Sequence, residues 1–272
     1  MTNTELTDWV QETLESNNNF SSTFTNTDLH QLVSFIDLTT LNATDSPNSV
    51  SKFIENGLAK LKENNLPEVA AFCVFSNFIE LTKKTLEKTS IKTACVAAAF
   101  PHGQAGLGSK VAEVTEAAIR GADDIDIVIN RGLVLDGDYD IMEQEVLAFK
   151  ASSGTAHLKS ILEVCEIDLS QVYESSKRAI NAGSDFIKTS TGKGTSGASL
   201  EASLVMCKAI KEHFDETGLR VGFKAAGGIS TSAEAMKYYN LVGFMLGEKW
   251  QNNTYFRIGA SSLLQNIISD LK

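Results

Sequence analysis

From Asp28 onward the chain repeats one pattern: a short apolar or β-branched run, a loop, then a stretch with helical hydrophobic spacing. The runs fall at 33–37, 69–75, 94–100, 124–129, 157–163, 185–189, 221–225 and 242–246. Helical patterns fill the intervals, among them 49–64, 110–120, 140–152, 168–181, 200–217 and 232–240. Strands that alternate with helices are parallel neighbours joined by crossovers. Eight such units in roughly 245 residues match one (β/α)8 barrel in number and size. A doubly wound open sheet would carry a glycine-rich turn after its first strand, whereas the first run here continues into Leu38-Thr39-Thr40-Leu41. The expected fold class is therefore α/β, a TIM (β/α)8 barrel over 28–272 behind a short polar arm over 1–27. Leu6, Trp9, Val10 and Leu14 give that arm a weak amphipathic pattern, which predicts a short helix or a frayed segment. It is assigned either to capping the barrel bottom or to an oligomer interface, and a homodimer is compatible with the latter.

A barrel of this kind carries its site at the carboxyl ends of the strands and in the loops beyond them. Asp185-Phe186-Ile187-Lys188-Thr189 is a strand with bulky apolar residues on both faces, so Lys188 sits where water is excluded. It is not alone. On the fourth run Ile125, Ile127 and Ile129 form the helix-packing face, which turns Asp124 and Asp126 into the barrel. Lys159 on the fifth run and Lys224 on the seventh also lie inside strands. Buried charges are costly unless paired, and several on adjacent strands point to a site; a purely structural ion network is the bland alternative. Two ammonium groups at ~4 Å repel by about 4 kcal/mol at an effective dielectric near 20. Desolvation acts in the same direction, so one of Lys188 and Lys224 is expected to be neutral near pH 7. A neutral buried amine attacks carbonyls, and a nearby carboxylate moves the protons, which predicts Schiff-base chemistry with Asp126 as the acid/base.

Small-residue loops follow the later strands. Thr191-Gly192-Lys193-Gly194 comes after the sixth, Ala226-Gly227-Gly228 after the seventh, and Gly259-Ala260-Ser261-Ser262 opens the last helix. Glycine lets backbone N–H groups approach an anion, and a helix N-terminus favours one, so these loops read as a phosphate cradle. The net charge of −10 opposes nucleic acid and anionic membranes, which leaves phosphate to local donors. The first twenty or so residues are polar and acidic, unlike a secretory signal, and no apolar run reaches membrane length. Cys73, Cys95, Cys165 and Cys207 read as reduced core cysteines, and the four histidines show no metal-ligand spacing. No metal site is expected, and the cytoplasm is the expected compartment.

Taken together these motifs resemble the deoxyribose-phosphate aldolase family of class I aldolases. The resemblance runs from about Leu32 to Leu264 and rests on Asp37-Leu38-Thr39-Thr40-Leu41, Phe100-Pro101-His102-Gly103, Gly121-Ala122-Asp123 leading to Asp126, Asp185 through Lys193, Gly222-Phe223-Lys224 with Gly227-Gly228, and Gly259 to Ser262. It implies Lys188 as the Schiff-base lysine, Lys224 as the lysine that lowers its pKa, and Asp126 as the proton-transfer carboxylate. Gly192, Lys193, Gly227, Gly228, Ser261 and Ser262 match the phosphate side, with Thr191 and Gly259 beside them in the same loops. The implied substrate is a small sugar phosphate, 2-deoxy-D-ribose 5-phosphate, with acetaldehyde and D-glyceraldehyde 3-phosphate as products and no cofactor. Thr39 lies just beyond the first strand; Asp37 and Lys159 are read as holders of a hydroxyl and proton-relay network, with capping of the Thr39-Thr40 turn the alternative for Asp37. Cys73 is read as a pocket wall. The sequence departs from the family pattern at Ala225 and Ser230, and Asp270-Leu271-Lys272 offers no terminal tyrosine. A transaldolase-like or keto-acid aldolase is the competing enzyme reading and a non-catalytic sugar-phosphate-binding barrel the competing binding module; the Lys188/Lys224 pair favours the first reading.

Overall fold

The computed structural model describes residues 2–18 and 20–271; Met1, Asn19 and Lys272, which the arm and chain-end expectations include, lie outside the described residues. Eight parallel strands close into a barrel in chain order: β1 (Ile36–Thr39), β2 (Ala71–Phe75), β3 (Lys92–Ala97), β4 (Asp124–Val128), β5 (His157–Ile161), β6 (Phe186–Lys188), β7 (Gly222–Ala226) and β8 (Phe256–Ala260). Each pairs with its neighbours, and β8 pairs back onto β1 through Asp37 and Gly259. The helices are α1 (Asn3–Ser16), α2 (Asn26–Val33), α3 (Pro47–Glu63), α4 (Ile79–Leu86), α5 (Leu107–Ile119), α6 (Arg131–Asp136), α7 (Tyr139–Ser152), α8 (Leu169–Asn181), α9 (Leu200–Thr217), α10 (Ser232–Leu246) and α11 (Leu263–Asp270).

Strand alternation sorts the apolar residues into two cores. Ile125, Ile127 and Ile187 face outward into the large core shared with the helices, which also takes Val114, Val146, Val172 and Leu204. A much smaller one, Leu41, Ala71, Cys73, Ala94 and Val96, fills part of the barrel interior. The rest of that interior is ionic. At its centre the Phe186 ring lies 5.3 Å from Lys159 Nζ and 5.8 Å from the Arg257 guanidinium. The ring fits because its register partner on β7 is Gly222: a Cβ there would stand 2.3 Å from the ring.

Three expectations need correction. The run at 242–246 is the last turn and a half of α10, not a strand. That helix starts at a capping box between Thr231 and Glu234 and ends at Gly247, and its buried Leu241, Val242 and Leu246 face the large core. A short apolar run fits a strand and a buried helix equally well. The eighth strand is 256–260, whose pattern is interrupted by a charge, Arg257, and by Gly259-Ala260, which are strand residues rather than the opening of the last helix. The first run also begins too early, because Val33 closes α2, a helix capped by Thr25 and Asp28. Within the arm, Leu6, Val10 and Leu14, spaced four residues apart, seat α1 against the outer helices α8 and α9. No helix among the described residues is long and apolar enough to cross a membrane.

Gly222→Ala is expected to lower the unfolding free energy by about 1–3 kcal/mol, since the added methyl must displace the Phe186 ring from a packed interior. Urea denaturation followed by circular dichroism measures this, and an unchanged midpoint would mean that the ring is loosely held.

Candidate active site

Inside the barrel, fully buried groups form one ionic lattice. Asp37 on β1 accepts from Lys159 (3.2 Å), from Lys224, and from Arg257 (2.7 Å). Asp124 on β4 accepts from Lys159 (2.6 Å) and Arg257 (3.2 Å). Asp126 Oδ2 accepts from both Lys188 (2.7 Å) and Lys224 (2.8 Å), so the two amines are held close together by one oxygen. Its other oxygen, Oδ1, lies 3.8 Å from Lys159 Nζ and accepts no hydrogen bond from the described residues. At the amino ends of the strands His157 Nδ1, 3.1 Å from Asp124, and Lys92, 3.6 Å from it, connect the lattice to partly exposed surface.

The charges do not balance. Asp37, Asp124 and Asp126 face the buried cations Lys159, Lys188, Lys224 and Arg257. Three carboxylates neutralise three cations, and Lys188 is the one best able to lose its proton. Burial lowers its pKa and Lys224 adds to this, and together they outweigh its contact with Asp126. Burial acts against the Lys224 ammonium too, but two carboxylates, Asp126 and Asp37, raise its pKa above the ordinary lysine value. Burial likewise opposes ionisation of the carboxyls. Lys188, Lys224 and Lys159 nevertheless hold Asp126 at about 2, and Lys159, Lys224 and Arg257 hold Asp37 well below the usual range. The amine that lines the open cavity is the one driven toward neutrality; the amine beneath it stays charged.

That cavity, about 280 Å³, opens at the carboxyl ends of β1, β6, β7 and β8. Lys188 lines it on one side, with Thr39 and Thr40; Thr191, Gly192, Lys193, Gly227, Gly228, Ser230, Gly259, Ser261 and Ser262 line the rest. The turn after β7 needs its glycines: Gly227 and Gly228 have φ of +85° and +80°, and the Gly227 backbone packs directly on Gly197 of the opposite loop. Thr189 ties these turns together, its hydroxyl donating to Ala226 O (3.0 Å) and accepting from Ala226 N (2.9 Å). Ser261 and Ser262 are exposed on the cavity wall just ahead of α11, and the first turn of a helix leaves backbone N–H groups without intrahelical partners. Lys193 is exposed on the rim.

The sequence-predicted residues thus fall into two layers. Lys188, Thr39 and the glycine, threonine, lysine and serine positions of the loops line the cavity. Asp37, Lys159 and Cys73 lie beneath it: both Asp37 oxygens are engaged by the lattice, while Thr40 N of the turn donates to Cys73 O and not to Asp37, and burial raises the Cys73 thiol to about 11. Cys95 and Cys207 are core cysteines, but Cys165 is only half-buried in the loop after β5, beside Glu163. Arg257 escaped sequence reasoning because its strand was misplaced. The residues Tyr255-Phe256-Arg257-Ile258, a charge flanked by apolar neighbours, carry the same signal that exposed Lys188 and Lys224. Glu163 also went unassigned, and it is bonded to Thr191.

Comparison with known proteins gives a consistent result. The model of the DeoC/LacD family aldolases matches residues 32–252. A Caenorhabditis elegans relative is 44% identical over 247 residues, covering 90% of this chain and 82% of its own. The deoxyribose-phosphate aldolase of Mus musculus is 41% identical over 251 residues, covering 88% of this chain and 79% of its own. The solved deoxyribose phosphate aldolase of Aeropyrum pernix superposes with a TM-score of 0.69 at 22% identity, covering 89% of this chain and 91% of that one, a likeness of fold.

Two outcomes follow from the lattice. Replacing Lys224 by Met leaves Asp126 Oδ2 to Lys188 alone, so the pH above which an aldehyde is trapped as an imine should move upward, with a rate at neutral pH lower by about 100-fold; a stopped-time borohydride trap across pH measures it. Asp126 has a folded pKa of about 2 against an ordinary 3.8. Its contribution to stability is therefore complete above the ordinary value and lost as pH falls through the folded one. Urea unfolding between pH 5 and 2 (about that range) should show a decline that is shallower in Asp126→Asn.

Proposed function

The chain belongs to the DeoC/LacD aldolase family, and on that footing we propose that it is a deoxyribose-phosphate aldolase. It cleaves 2-deoxy-D-ribose 5-phosphate reversibly to acetaldehyde and D-glyceraldehyde 3-phosphate through a Schiff base on Lys188. The observation that carries this reading is the pair of buried amines sharing one Asp126 oxygen beside a cavity rimmed with glycines and hydroxyls.

In this reading neutral Lys188 attacks the C1 aldehyde of the open-chain sugar, and the carbinolamine loses water to give a protonated imine. Lys224 stays charged, so deprotonating Lys188 leaves the Asp126 carboxylate still paired and creates no isolated buried anion. The protonated imine then accepts the electron pair of the C2–C3 bond as that bond breaks. Asp126, directly or through a water, takes the proton of the C3 hydroxyl, and glyceraldehyde 3-phosphate leaves. The enamine is protonated at C2, water adds to the imine, and acetaldehyde is released with the amine restored. Lys159, Asp37 and Arg257 keep Asp126 and Lys224 in place. The phosphate end of the sugar lies against Gly192, Lys193, Gly227, Gly228, Ser261 and Ser262, where backbone donors and a helix N-terminus favour an anion. The free cysteines support a cytoplasmic setting.

The test combines turnover with trapping. The wild type should cleave 2-deoxyribose 5-phosphate and, with acetaldehyde and borohydride, gain one ethyl group on the peptide that holds Lys188. Lys188→Ala should lose the adduct, and its kcat should fall by more than about 1,000-fold. An adduct on another lysine would overturn the site, and a folded wild type with neither adduct nor turnover would overturn the function.

A further inference from the structure

Glu163 lies just past β5 and faces neither the ionic lattice nor solvent. It is 1% exposed, and its backbone φ is +57°, a left-handed conformation costly for any residue but glycine. The carboxylate accepts from the Thr191 backbone N–H at 3.3 Å to each oxygen and from the Thr191 hydroxyl. That hydroxyl in turn accepts from Lys193 N at 3.0 Å. The same loop rests on Glu163 at Gly194, where a Cβ would come within 3.3 Å of its carboxylate. On the other side Arg131 Nη1 stands 3.8 Å from the carboxylate, donates to Pro101 O at 3.0 Å, and through Nε pairs with Glu166 at 2.6 Å. A single buried acid therefore joins the loops that follow β3, β4, β5 and β6.

A buried carboxylate next to an anion cradle is electrostatically unfavourable for the bound anion, so Glu163 is not there to touch it. Its two oxygens instead take up the donors of Thr191 that would otherwise be free to turn, and Arg131 offsets its charge. We propose that Glu163 is a positioning residue that sets the affinity of the site for the phosphate end of its substrate, acting through Thr191 and the Gly192-Lys193 turn. The proposal rests on the assignment of that turn to the phosphate.

The experiment measures kcat and KM for 2-deoxyribose 5-phosphate, and kcat/KM for 2-deoxyribose, which lacks the anion, in the wild type, Glu163→Gln and Glu163→Ala. Glu163→Ala should raise KM for the phosphorylated sugar about tenfold, with kcat within about threefold and kcat/KM for the unphosphorylated sugar nearly unchanged, the pattern of lost uniform binding. Glu163→Gln keeps one acceptor and should recover most of the loss. Thr191→Val, which removes the hydroxyl from the other side, should show the same KM-only pattern and stands in if Glu163→Ala fails to fold. Equal losses on both sugars, a fall in kcat at constant KM, or wild-type constants in Glu163→Ala or Thr191→Val would overturn the proposal. Trapping of acetaldehyde by borohydride involves no phosphate and should be unaffected in Glu163→Gln and Glu163→Ala. A wild type that traps the aldehyde but shows no preference for the phosphorylated sugar overturns the phosphate assignment and this proposal with it, while leaving the Schiff base standing.

Discussion

An excess of one cation inside the barrel organises this molecule. Three buried carboxylates can hold three buried cations as ion pairs, and the structure supplies four. The surplus charge falls where desolvation is strong and carboxylate contact weakest, on Lys188, which has Asp126 alone and shares that with Lys224. Lysine suits this position because its pKa moves readily on burial, whereas Arg257 stays charged and carries a fixed load in the lattice. Breaking such a buried pair on one side leaves an uncompensated charge. The strands that carry these groups are therefore bound to one another by more than their hydrogen-bonded ladders.

The fold serves that lattice. Parallel strands in chain order bring Asp126 beside Lys159, and Lys188 beside Lys224, as register partners. Gly222 makes the room in which Phe186 offers its ring to two cations, Lys159 and Arg257. Above this layer the loops take over. Glycines at Gly192, Gly227 and Gly228 and the serines ahead of α11 shape a cavity with only Lys188 of the lattice on its wall. The chemistry and the recognition of the substrate thus occupy different levels of the barrel, joined at one amine.

Much of this was legible in the sequence because strand period two is a strict rule. Once Ile125 and Ile127 were assigned to the helix-facing side, Asp124 and Asp126 had to enter the barrel, and Lys159, Lys188 and Lys224 followed by the same reasoning. Where the rule lost force, so did the reading. The apolar run at 242–246 suits a helix as well as a strand, and only the cap at Thr231 and tertiary packing decide between them. The true last strand is short, charged at Arg257 and small at Gly259-Ala260, so it lacks the look of a buried strand. Asp37 sits at the heart of the lattice although its local sequence suited a turn cap equally, because its partners come from β5, β7 and β8. The Glu163–Thr191 link joins residues 28 apart and follows no local pattern.

The central claim is that Lys188 is the lysine without a counter-charge of its own, since it shares Asp126 with Lys224. Nitrogen NMR of the protein with isotopically labelled lysines, titrated across the neutral and alkaline range, tests it most directly, with Lys188→Met used to assign the resonance. One lysine should titrate below the ordinary value of 10.5 and vanish in that variant, while Lys224 remains protonated throughout the range in which Lys188 loses its proton. If Lys188 instead titrates at or above 10.5, the barrel holds the surplus charge without giving up that proton, and the imbalance does not make that amine a nucleophile.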